Sequence, residues 1–149
     1  MCLPAPPAHI KAMSTSPRPF KPVLDRLAQA GLRPTRQRLG LGRLLFDGGD
    51  RHVTAEQLHG EAVAARLEVS LATVYNTLNQ FTEAGLLREV VVEAGKSYFD
   101  TNTNDHHHFF FEGEGRLQDI PAVAVAALPD APPGTKVARV DVIIRLAQD

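Results

Sequence analysis

The sequence predicts an α+β fold: an N-terminal winged helix-turn-helix followed by a small α/β domain. Three observations predict it. Apolar residues recur at helical spacing between positions 23 and 84. The pattern then changes to two short valine- and aromatic-rich runs joined by Ala94-Gly95. The rest of the chain is short alternating runs broken by glycine and proline.

Residues 1–22 read as a flexible tail. Six prolines interrupt any period there, and proline neither continues a helix nor donates to a sheet. The segment lacks the apolar stretch of a secretory signal, so a cytoplasmic chain is expected. The first helix starts at Val23, carries Leu24, Leu27 and Ala30, and stops at Gly31. Thr35 caps a second helix bearing Leu39, Leu41, Leu44, Leu45 and Phe46, ended by Gly48-Gly49-Asp50. Thr54 and Gln57 have the spacing of a capping box and open a third helix that runs to about Arg66. Ser70 caps a fourth, through Val74, Leu78 and Phe81 to Ala84, with Gly85 beyond its end. Leu87–Glu93 and Lys96–Asp100 form the hairpin, which completes a domain over 23–100. The polar run 101–105 reads as a hinge, and 106–149 as the second domain. That domain is expected to hold strands at His106–Phe111 and Arg116–Ile120, a short helix at Pro121–Leu128, and a final strand over Val137–Leu146.

Composition narrows the class. Of 149 residues, 44% are hydrophobic and 22% charged, which excludes collagen-like, disordered and disulfide-scaffold chains. No apolar run reaches membrane-spanning length, so no membrane partner is expected. Cys2 is the lone cysteine, so no intrachain disulfide and no CxxC zinc clamp can form. The formal net charge of −1 hides an uneven distribution. Residues 23–96 carry nine basic and nine acidic side chains; residues 97–149 carry four and eight. Arg33, Arg36, Arg38 and Arg43 cluster in the helical half, where phosphate contacts would need them.

The short connection around Leu67–Val69 makes the fourth helix the recognition helix of a helix-turn-helix. Ser70, Ala72, Thr73, Tyr75, Asn76 and Thr77 are expected on its exposed face. Hydroxyls bond phosphates or bases, Asn reads adenine, and a Tyr ring or Thr methyl meets the thymine methyl. Lys96 is expected to present the wing to the DNA backbone, beside Arg33, Arg36 and Arg38.

Gly31-Leu32-Arg33-Pro34-Thr35-Arg36-Gln37-Arg38, then Ser70-Leu71-Ala72-Thr73-Val74-Tyr75-Asn76-Thr77-Leu78, resemble the ferric uptake regulator family. The resemblance continues through Phe81-Thr82-Glu83-Ala84-Gly85-Leu86 and Gly95-Lys96-Ser97-Tyr98-Phe99, and covers about 24–120. Within the family, the histidine run without a CxxC is most similar to the iron response regulator branch. The resemblance implies an iron-responsive, homodimeric transcription regulator of repressor type, with a C-terminal dimerisation domain and a double-stranded DNA operator. It departs from the family at Asn76, where close members carry Arg, and at Ala28-Gln29, where they carry a basic pair.

Three histidines are contiguous. On a strand, His106 and His108 share one face and His107 takes the other. Imidazole with carboxylate suits Mn²⁺, Fe²⁺ or Zn²⁺, and His52, Asp100, His106 and His108 make a candidate set, with Asp105 nearby. The resemblance reinforces all four, with Asp100 where the family has Glu. It also shows what is missing. Phe111 and Glu114 replace the first cysteine pair of the family's structural four-cysteine zinc site, so no structural zinc of that kind is expected. Residues 121–149 contain no Glu or His for a third site. Imidazole is also a common haem ligand. The iron response branch implies haem as the signal, with His106, His107 and His108 as candidates and a haem-biosynthesis enzyme as donor. Cys2, in Cys2-Leu3-Pro4, is a further haem candidate by that resemblance. The alternative is a divalent-metal regulator without a haem response. Phe109, Phe110 and Phe111 read as core. No HExxH, glycine-rich phosphate loop or nucleophile–base pair points to an enzyme.

Overall fold

The computed structural model describes residues 20–121 and 123–149. The candidate Cys2 lies outside them. The element order is α1 (Lys21–Gln29), α2 (Arg36–Phe46), β1 (His52–Val53), α3 (Ala55–Ala64), α4 (Leu71–Glu83), β2 (Arg88–Glu93), β3 (Lys96–Asp100), β4 (His107–Phe111), β5 (Arg116–Ile120) and β6 (Ile143–Leu146).

Local signals set most boundaries. Thr35, Thr54 and Ser70 each accept the backbone N–H three residues on, and Gln57 completes the capping box at Thr54. Helix α1 begins at Lys21, inside the expected tail, because Pro22 in its first turn suits a helix start. Three helices end alike. Leu32, Leu67 and Leu86 each donate N–H to the carbonyl five residues back, at 2.8–2.9 Å. The residue before each has positive φ: Gly31, Arg66 and Gly85.

Helices α1 to α4 enclose one core, with Leu27, Leu41, Leu45, Leu58, Leu78 and Phe81 fully buried. Strands β1, β3 and β2 form an antiparallel sheet in that order. Strand β3 serves two cores. Phe99 joins the helical core, while Tyr98 on the other face joins Val90, Val92, Phe110 and Leu117. The second sheet runs β5–β4–β6, with β6 parallel to β4.

Two expected elements differ. Residues 121 and 123–128 form no helix. Pro121 and Pro129 bracket that stretch, and Val125 and Leu128 stay exposed, so no packing compensates for nucleating a short helix. The final strand shrinks to Ile143–Leu146 because β4 offers partners only from His108 to Phe111. Among the described residues, the alternation upstream of Ile143 has no strand to pair with. Strand β1, two residues long, was not foreseen; it exists through its pairing with β3.

A histidine–aspartate cluster between two sheets

The cluster begins at β3. Register places His52 of β1 and Arg88 of β2 on either side of Asp100. Asp100 lies on the Tyr98 face, turned toward the second sheet, with its side chain 1% exposed. His52 is held by its neighbour Arg51. That guanidinium grips Glu61 twice, at 2.7 and 2.8 Å, and also donates to the Leu44 carbonyl. The Arg51 N–H donates to Thr101 Oγ1.

Strand β4 supplies His108, and His106 precedes its first residue. Both Nε2 atoms face Asp100 Oδ2, at 3.1 and 2.7 Å. His52 Nε2 approaches the same oxygen at 3.1 Å. Asp119, opposite His108 across the β4–β5 pair, closes the group. Its Oδ1 lies 2.7 Å from His52, 3.2 Å from His106 and 3.3 Å from His108. One ligand atom from each of the five residues falls within 4.8 Å of all the others. All four residues expected from sequence are thus brought together. Asp119 was missed, although the Glu112–Gly115 turn sets a register that could have found it. His107 takes the opposite face as expected: its Nδ1 accepts the Val142 N–H at 3.1 Å.

The electrostatics are those of coupled acids and bases. Burial would raise the Asp100 pKa, but bonds from His108, His52 and the Asn102 N–H hold it well below the usual carboxylate range. Burial pulls His52 down, yet Asp100 and then Asp119 keep it above the ordinary histidine value. His106 is raised the same way, against its burial, by the Asn104 carbonyl and Asp100.

Arg88 links this cluster to the rest. It is 6% exposed, donates to the Asn104 carbonyl and Asp105, and meets Asp141 at 2.7 Å. Its Nε has no partner among the described residues. Arg139 and Arg145 add bonds to the Glu89 and Val92 carbonyls of β2.

The expected nucleic-acid face is partly rearranged. Ser70, Tyr75 and Asn76 are exposed and Thr73 is half-buried. Thr77 is buried, 4% exposed, because its position turns toward the helical core. The expectation that it is exposed is therefore corrected. Arg38 is tied down: its guanidinium donates to Gln80 Oε1 at 2.9 Å and to the Arg33 carbonyl at 2.8 Å. Arg33 and Arg36 are exposed beside it. Lys96 sits on the Tyr98 face of β3, its Nζ 5.6 Å from the Phe110 ring and 3.9 Å from Glu93.

A sequence profile described as the ferric uptake regulator family matches residues 29–138. The chain belongs to the ferric uptake regulator family. Members of this family are DNA-binding transcription regulators rather than enzymes. The ferric uptake regulation proteins of Shigella flexneri and Escherichia coli K12 are 43% and 42% identical over 82 residues. That stretch spans 55% of this chain and 55% of each relative. The manganese-containing ferric uptake regulator of Pseudomonas aeruginosa shares the fold, with TM-score 0.63 and 23% identity over 85% of this chain and 97% of that one. The Vibrio cholerae regulator does so with TM-score 0.66 and 24% identity over 83% and 98%. Among the described residues, no helix is long and apolar enough to cross a membrane.

Proposed function

We propose that this chain is a metal-responsive transcription regulator, which binds operator DNA as a homodimer under the control of a divalent cation. The convergence of His52, Asp100, His106, His108 and Asp119 carries this reading. Three imidazoles and two carboxylates are the donor set for Mn²⁺, Fe²⁺ or Zn²⁺. Two ligands come from the hairpin sheet and three from β4 and β5 and their approach. A cation held by them would fix one sheet against the other. The recognition helix α4 then keeps one orientation relative to the dimerisation half, which lowers the ordering cost of docking two half-sites. Ser70, Thr73, Tyr75 and Asn76 are the groove-facing residues in this reading, with Thr77 behind them and Arg33, Arg36, Arg38 and Lys96 on phosphates. Val125, Leu128, Val137 and Ile144 are exposed on the C-terminal segment, and a second copy of the chain would cover them.

A haem-responsive regulator of the iron response branch, loaded by a haem-biosynthesis enzyme, has less support. The Nε2 atoms of His106 and His108 point inward at Asp100, and His107 Nδ1 is taken by Val142. Five donor atoms within 4.8 Å of one another suit a bare cation and leave no room for a porphyrin ring between them.

Fluorescence anisotropy with duplexes selected from a random pool tests the function. Mn²⁺ is expected to tighten binding by about 10-fold or more over chelator-treated protein, an allosteric coupling of ordinary size. Asp100→Ala should abolish that response while circular dichroism stays unchanged. Equal affinity with and without the cation would overturn cation control, and a Soret band that tracks DNA release would favour haem.

A further inference from the structure

Tyr75 projects from α4 and is 39% exposed, yet its hydroxyl is not free. It donates to Glu56 Oε1, on the first turn of α3, at 2.5 Å. A phenol has one hydrogen and an oxygen that also accepts. Once that hydrogen is committed to a carboxylate, the oxygen can only accept from anything else that approaches. The proton stays on the phenol. The bond lowers the Glu56 pKa and raises that of Tyr75, so neither change moves it across.

In the major groove the bases differ in what they offer. Thymine O4, guanine O6 and N7, and adenine N7 accept, whereas adenine N6 and cytosine N4 donate. A free tyrosine reads either kind. We propose that Glu56 is a specificity-determining residue: by taking the Tyr75 proton it makes the phenol oxygen an acceptor, so Tyr75 selects adenine or cytosine at the base it meets. This rests on α4 entering the groove as proposed above. Glu56 need not touch DNA; it acts through Tyr75. The sequence hides this because the two residues stand on different helices, 19 positions apart.

The test is selection from randomised duplexes by the full chain with Mn²⁺, comparing wild type, Glu56→Ala, Glu56→Gln and Tyr75→Phe. Wild type is expected to favour adenine or cytosine by roughly 3- to 10-fold at one position per half-site, the value of one hydrogen bond. Glu56→Gln keeps an acceptor oxygen and should keep that preference. Glu56→Ala should level it or turn it toward thymine or guanine, with all other positions unchanged. Tyr75→Phe should lose discrimination there alone. A Glu56→Ala profile identical to wild type, even with tighter overall binding from lost repulsion, would overturn the inference. Wild type that selects no sequence at all would overturn the DNA-reading function itself, and this inference with it.

Discussion

Arg66 holds φ at 59° where glycine ends two other helices. Its N–H and that of Leu67 satisfy the Val63 and Ala62 carbonyls, so the turn itself is sound. The side chain is what strains it, since a Cβ crowds the following carbonyl in this conformation. Arg66→Gly is expected to raise stability by about 0.5–1 kcal/mol, read from denaturant midpoints at constant slope. The cluster residues also couple stability to pH. The raised pKa values of His52 and His106 mean that the cation-free fold holds their protons more tightly than the unfolded chain. That contribution is complete below about pH 6.5 and fades as pH rises through the folded values. Asp100 works in the opposite sense: its contribution is complete above about pH 4 and is lost in strong acid. Chelator-treated protein should therefore be most stable between those limits. Cation binding requires the same imidazoles unprotonated, so affinity for Mn²⁺ should rise with pH through and above that range. Isothermal titration in buffers of different ionisation enthalpy would show the released protons; cation uptake without proton release would contradict the arrangement.

Within elements, α2 tolerates two interior glycines because other segments approach closely. A Cβ at Gly42 would meet Val23 Cγ1 at 2.6 Å, and one at Gly40 would meet the Leu67 side chain at 2.6 Å. Gly42→Ala should thus destabilise by about 1–2 kcal/mol, overpacking outweighing better helix propensity. In a double-mutant cycle with Val23→Ala, the pair should cost less than the sum of the singles. Elements fixed by neighbours in sequence are legible in the sequence itself. Thr35, Thr54 with Gln57, and Ser70 with Gly85 each announce a boundary through a bond spanning a few residues. What pairing decides was not legible. Strand β1 exists only beside β3, and Asp119 reaches the cluster only through the register of β4 with β5. The same is true of Thr77. Its polar side chain suggested a surface, and only the packing of α4 shows that it faces inward. The alternating stretch before Ile143 carries a strand's pattern but has no partner among the described residues, and pattern alone forms no ladder.

For the molecule as a whole, the two sheets are not independent bodies joined by a tether. Tyr98 and Phe99, adjacent in β3, send their rings into different cores. Arg88 adds a buried charge that meets both the segment after β3 and Asp141 near the chain end. A buried guanidinium with carboxylates on two segments resists separation, because pulling either away strands a charge. Some of this was foreseeable. Composition leads to the expectation of a division at 101–105, but not to the extent of contact across that segment, since valines in a hairpin look the same whether one face or both are covered.

The brevity of that connection has a consequence for affinity. Asp100 ends one sheet and His106 leads into the other, so residues 101–105 would be the covalent part of a chelate ring around the proposed cation. Folding already closes this loop, because β3 packs against both cores, and the entropy of closure rises only with the logarithm of loop length. Doubling the segment with five inserted glycine and serine residues should therefore lower stability by about 0.6 kcal/mol and leave Mn²⁺ affinity within about 3-fold. A loss of several orders of magnitude would mean instead that the covalent link, not the packing of β3 against two cores, is what holds the donors in register.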